Sequence, residues 1–181
     1  MESKNENISR IQRVSAMFRQ LFTVLIFFIP IATSMYWLLF NYLPSGLTAR
    51  LPVSASQSFS FSTLFFAFLI SLIPMSVAVY GAINLKELFK LYEKAIIFSE
   101  KNVSYLRRLG YTLIFWVISN FIFTVLISIV LTFNNSPGER KMVAQLDISD
   151  IGTLIIGAVV VLVSWVMSEA SRLADEQIHT V

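Results

Sequence analysis

The chain has no cysteine and a single histidine, His179. Disulfides, thiolate metal sites and palmitoylation are excluded by the first absence, and a converging set of His and Cys metal ligands by both. Charge is scarce too. Asp, Glu, Lys and Arg make up 14% of 181 residues, against about 25% in an ordinary soluble domain. None of the long apolar runs contains a charged residue, so the intramembrane acids and bases that ion- or proton-coupled carriers use are missing. Phosphate-cradling glycine loops, dinucleotide fingerprints, the HExxH zinc motif and the GxSxG nucleophile elbow are absent, and the serines have no base nearby. No catalytic, cofactor-binding or metal residue is nominated, no cofactor is implied and no enzyme is expected.

What the chain has instead is apolar sequence, 56% of its residues. That much cannot be hidden in one core of this size, so it must face something other than water. The apolar residues lie in four runs, each near the ~20 residues a helix needs to cross ~30 Å of hydrocarbon. They predict an all-α fold, an integral membrane four-helix bundle forming one membrane domain over 1–181. The expected spans are TM1 at 21–43, TM2 at 59–83, TM3 at 110–133 and TM4 at 151–168, with a tail at 169–181. TM1 is too long for the core of a signal peptide, lacks a small-residue cleavage site and is expected to stay as an anchor. Ahead of it, Ile8, Ile11, Val14 and Phe18 fall on one helical face, with Arg10, Arg13 and Arg19 elsewhere. This predicts an amphipathic lead-in helix whose basic residues meet headgroups.

Pro30 and Pro74 are expected to kink TM1 and TM2, which membrane helices tolerate. Ser71 and Ser76 are placed to bond carbonyls freed by Pro74. The phenylalanines of early TM2 (Phe59, Phe61, Phe65, Phe66 and Phe68) read as lipid-facing or packing surface. Asn120 lies near the middle of TM3, with Thr124 and Ser128 at successive spacings of four. Such a set is expected to contact protein rather than lipid, as an interhelical hydrogen bond or as a polar site. The loop 134–150 begins with a firm helix break, carries Met142, Val143 and Leu146 as a possible short amphipathic turn, and offers Ser149 or Asp150 as N-cap of the last helix. Gly152, Gly157, Ala158, Ser164 and Ser168 give TM4 small positions for close helix contact.

Between TM2 and TM3 the helical pattern does not stop at the membrane. Leu85, Leu88, Phe89, Tyr92, Ala95 and Ile96 continue it, so TM2 and TM3 are expected to extend into a helical hairpin over 84–109. A turn at Ile97-Phe98 and an N-cap at Ser99, followed by Glu100, mark its tip. Lys86, Lys90, Lys94, Arg107 and Arg108 form its candidate partner surface. Of the fourteen Lys and Arg, eleven lie in the N-terminal segment, the hairpin and the tail, and three in the other two loops. Lysine and arginine set membrane orientation, so both termini and the hairpin are expected to be cytoplasmic. The partners expected are the lipid bilayer and a cytoplasmic protein. Direct nucleic-acid binding is not expected, and the sequence leaves the oligomeric state open.

Two stretches resemble a known family. One is Phe98-Ser99-Glu100-Lys101-Asn102-Val103 with Leu106-Arg107-Arg108-Leu109-Gly110-Tyr111. The other is the tail from Leu173 to Val181, where Gln177 replaces a usual asparagine and His179 a usual leucine. With the four-run layout, these resemble the domain of unknown function 2975. The resemblance implies a small, four-helix bacterial inner-membrane protein, and a possible partner in a small cytoplasmic helix-turn-helix regulator. The reading that follows is a non-enzymatic membrane interaction or signalling protein. The alternative is a small transporter, or a protein that binds a lipid or hydrophobic compound, using the kinked helices and the polar face at Asn120. A cavity near Pro30, Pro74 and Asn120 is the feature that this alternative requires.

Overall fold

The structure, a computed structural model, describes residues 2–48, 51, 58–96, 99–136 and 138–178, and their side chains apart from 2–7, 45, 171 and 173–178. The chain is all-helical. Helix α1 spans Glu2–Leu38, a 3-10 turn follows at Phe40–Tyr42, and α2 is a single turn at Ser45–Thr48. Helix α3 spans Phe61–Glu93, α4 Glu100–Thr132 and α5 Ile148–Ile178. Four helices (α1, α3, α4 and α5) are long and apolar enough to cross a membrane. The chain is a multi-pass membrane protein in that sense.

The lead-in and the first span are one helix of 37 residues, about 55 Å long at 1.5 Å per residue. Pro30 and Pro74 sit inside α1 and α3, and neither interrupts its helix. The serines near Pro74 do not serve its freed carbonyl. Ser71 donates to Ala67 O, and Ser76 to Ile73 O. The first span ends earlier than expected, since α-helix gives way to the 3-10 turn after Leu38. Asn41 closes that end. Its Nδ2 donates to Phe59 O and its Oδ1 accepts from Phe59 N, both at 3.0 Å.

The four long helices pack in chain order: α1 on α3, α3 on α4, α4 on α5. Helices α1 and α4 barely touch, so the bundle is a row and does not close. Its interfaces are built from small residues. Among the described residues, buried Ser, Thr and Asn are as numerous as buried apolar side chains, while large apolar residues such as Phe27, Phe28, Ile155 and Val159 are exposed. That inversion suits a bilayer, where lipid is as apolar as leucine and close backbone packing holds helices together. Many of the buried hydroxyls are satisfied within their own helices. Thr112 donates to Arg108 O, Ser119 to Trp116 O and Ser164 to Val161 O. The one compact apolar cluster (Trp37, Phe40, Ala67, Ile127 and Leu131) lies at the end away from the hairpin.

Helix α4 crosses its neighbours at glycines. A methyl group on Gly81 would meet Thr112 Cγ2 at 3.0 Å. One on Gly110 would meet Gly157 O and Val161 N, both at 2.9 Å. Of the small positions proposed in the last span, Gly157 and Ser164 are buried, whereas Ala158 and Ser168 are exposed and Gly152 has open space beside it.

The segment between α4 and α5 forms no amphipathic turn. It runs without helix from Glu139 to Asp147 and returns along α4. Val143 N donates to Ser128 Oγ at 3.0 Å, and Lys141 N to Thr132 Oγ1 at 3.1 Å. Met142 and Leu146 are exposed. Helix α5 then starts at Ile148, three residues before the expected Ile151. Ser149 and Asp150 therefore lie inside the first turn, not ahead of it. Asp147 N donates to Asp150 Oδ2 at 3.0 Å, with Asp150 inside the first turn. Two hydrogen bonds from its main-chain N–H groups to α4 hydroxyls hold the segment against α4 just before α5 begins.

Candidate functional site

Two regions carry the polar residues nominated from the sequence. The first is the hairpin tip. Helix α3 ends at Glu93, short of Ala95 and Ile96, because Ala95 turns to φ 57°. This left-handed residue sends Ala95 N to Tyr92 O and Ile96 N to Leu91 O, the closing bonds of a helix C-terminus. Ile97 and Phe98 lie outside the described residues. Ser99 caps α4 as expected, with extended backbone and Oγ accepting from Asn102 N. Asn102, fully buried, then reaches back across the turn, its Nδ2 donating to Ile96 O at 2.7 Å. The tip is therefore tied on both sides by hydrogen bonds to main chain.

The basic residues are not equivalent. Lys90 and Lys94 are exposed, and Lys90 pairs with Glu87 at 3.1 Å. Arg108 is exposed and lies over the Tyr105 ring at 5.6 Å. Lys86 is half-buried. Arg107, expected to point outward, is half-buried too, and its Nε is buried without a hydrogen-bond partner. It sits one residue from the outward direction of Arg108, and a helix turns by about 100° per residue. Arg19 joins α1 to this end through Glu93 at 2.9 Å, beside stacked Phe18, Phe22 and Phe89. Ile11, Val14 and Met17 of α1 remain exposed. The side chains of the tail 173–178 and residues 179–181, His179 among them, lie outside the description.

The second region is a groove. Because α1 and α4 flank α3 and approach each other mainly at the Trp37 cluster, two adjoining hollows of about 470 Å³ and 410 Å³ open along α3. They share Ile29, Ala78 and Trp116. The larger is lined by Ala32, Thr33, Tyr36 and Trp37 of α1, Ser71 and Pro74 of α3, and Asn120 and Phe123 of α4. Trp37 Nε1 donates to Ser71 Oγ at 2.6 Å. The smaller hollow reaches Phe22, Gly81, Thr112 and Thr153.

The expected set of Asn120, Thr124 and Ser128 is dispersed. Ser128 is fully buried and holds Val143. Thr124 is half-buried. Asn120 makes no interhelical hydrogen bond. Its amide lines the groove, with no hydrogen-bond partner among the described residues. Two steps of four residues drift by about 40° each on a helix, so a nominal polar face splits between the groove and the returning segment. Thr132 and Asn41 carry no motif or spacing in the sequence that sets them apart from ordinary polar residues. The signal for Trp116 is its spacing: Trp116, Asn120 and Phe123 share the i, i+4, i+7 face that lines the groove. Among the described residues no group of three or more His, Cys, Asp or Glu could hold a metal ion.

No curated protein matches the chain, and no solved structure does. A family described as "Protein of unknown function (DUF2975)" matches residues 27–181, which include the hairpin and all of the groove wall except Phe22 and Leu25. The glycine and asparagine of the hairpin motif have structural duties here, Gly110 at the α5 crossing and Asn102 at the tip. The chain belongs to the DUF2975 family, and its fold is four apolar helices in a row joined by a capped hairpin.

Proposed function

We propose that the protein is a non-enzymatic interaction or signalling protein of a bacterial inner membrane, with both termini and the hairpin in the cytoplasm. The observation that supports this reading is the tied hairpin tip, which presents Lys90, Lys94 and Arg108 on the exposed side of two helices that continue from the membrane without a break. A surface held by caps on both sides loses little conformational freedom on binding. The exposed Ile11, Val14 and Met17 of α1 add an apolar strip at the same end. A small cytoplasmic helix-turn-helix regulator, docking through an acidic face and leaving its DNA surface to the DNA, is the partner class proposed.

The test is photocrosslinking in cells from a probe at Lys101, on the tip, with a probe at Phe28 on the lipid-facing side as control. A discrete protein adduct from Lys101 alone is expected, and the combined Lys90→Glu, Lys94→Glu and Arg108→Glu variant should lose it. An adduct that survives all three reversals, or no protein adduct at all, overturns the reading.

A further inference from the structure

The groove along α3 contains polar atoms that the fold does not use. Trp37 Nε1 and Ser71 are satisfied by each other and by Ala67 O. The Asn120 amide and the Tyr36 hydroxyl, both on the groove wall, have no hydrogen-bond partner among the described residues. In hydrocarbon an unpaired amide is costly, and such groups normally face protein or a polar ligand. Depth narrows the choice. Asn120 lies ten residues along α4 from Gly110, where the basic hairpin ends, or about 15 Å. That is half of the ~30 Å hydrocarbon core, out of reach of a phospholipid headgroup at either face. Shape narrows it further. A hollow of about 470 Å³ is the size of a small-molecule site, too small for a helix some 10–12 Å across. From Phe22 to Trp37 the groove follows α1 for about 22 Å.

We propose that this groove binds a long apolar molecule from the bilayer that carries a carbonyl group in its middle, with Asn120 Nδ2 donating to that carbonyl and Tyr36 Oη as a second donor. The site goes beyond the partner-binding reading and does not depend on it. Entry is sideways from the lipid, between α1 and α4. The hydrocarbon arms lie along Ile29, Ala78 and Trp116, and the carbonyl replaces the partner that the amide lacks.

Trp37 and Trp116 line the groove and Trp165 is exposed on α5, so a Trp165→Phe variant of the full chain reports on the groove by fluorescence. Reconstituted in vesicles of mid-chain-brominated phosphatidylcholine, its tryptophans are quenched by acyl chains in the groove. Nonadecan-10-one should displace these chains and restore emission saturably, while nonadecane should not. Asn120→Leu should shift the ketone response to about tenfold higher mole fraction, the scale of one lost hydrogen bond, and Asn120→Gln should retain part of it. Ala78→Phe, which fills the groove from α3, should abolish the response with helical content unchanged. Equal responses to ketone and alkane would show a groove for hydrocarbon alone and overturn the proposal. So would an inert ketone together with disulfide-linked dimers of an Asn120→Cys variant, which would make a second copy the partner of Asn120. An unchanged response in Ala78→Phe would place the binding elsewhere.

Discussion

Gly110 of α4 and Gly157 of α5 lie backbone against backbone: a methyl group on either would come within 3.0 Å of the other's carbonyl oxygen or closer. The contact is rigid on both sides, since main chain cannot swing away as a side-chain tip can. It fixes how far α5 slides along α4, and with it the level at which Asp147 and Asp150 begin α5.

Gly110→Ala should therefore destabilise the protein by about 1–3 kcal/mol, the cost of overpacking. Gly152→Ala, with open space around it, should stabilise by up to about 1 kcal/mol through helix propensity. Thermal unfolding of the two variants in the same detergent checks the pair. Equal effects would remove the crossing as the explanation.

Ala95 holds a left-handed conformation at φ 57°, which costs an L-residue about 1–2 kcal/mol. Ala95→Gly should raise stability by part of that amount. Ser99→Ala, which removes the cap of α4, should lower it by about 1 kcal/mol. The same melting measurement reads both, and a double variant should show near cancellation.

The returning segment is pinned by two hydroxyls. Ser128→Ala and Thr132→Val should speed hydrogen exchange at the Val143 and Lys141 amides, each variant acting mainly on its own partner. Loss of one such bond is worth about 1 kcal/mol, or several-fold in local opening. An exchange pattern unchanged in both variants would show that the segment is held by something else.

Orientation can be read directly because the chain has no native cysteine. Lys94→Cys is expected to react with a membrane-impermeant maleimide only after the membrane is opened, and Arg140→Cys in intact spheroplasts. The reverse pattern would invert the proposed topology.

The sequence showed best what depends on neighbours along the chain. Four spans, the extension beyond them and the Ser99 cap all follow from local patterns, and the structure contains each of them. The structure departs from the sequence reading where a distant segment decides. Ser128 looked like part of a polar face with Asn120, but the partner that separates them, Val143, is fifteen residues away along a path no periodicity announces. Helix α5 starts at Ile148, just after the segment that carries Val143. Arg107 went inward while its neighbour Arg108 did not, a difference of one helical step that the three-dimensional packing sets. The groove was legible only as a requirement of the alternative reading, because whether α1 and α4 meet depends on the order of packing and not on the composition of either.

Helix α4 runs from the capped tip to its far end through 33 residues with no proline, about 50 Å of unbroken hydrogen-bonded rod. It touches α3 along one side and α5 at the glycine crossing, walls the groove at Asn120, and grips the returning segment at Ser128 and Thr132. A rod of this kind acts as a lever. If α4 tilts to admit or release a molecule beside Asn120, the same tilt appears at Arg108, and the slack must be taken up in α3 at Pro74 or at the joint formed by Ala95.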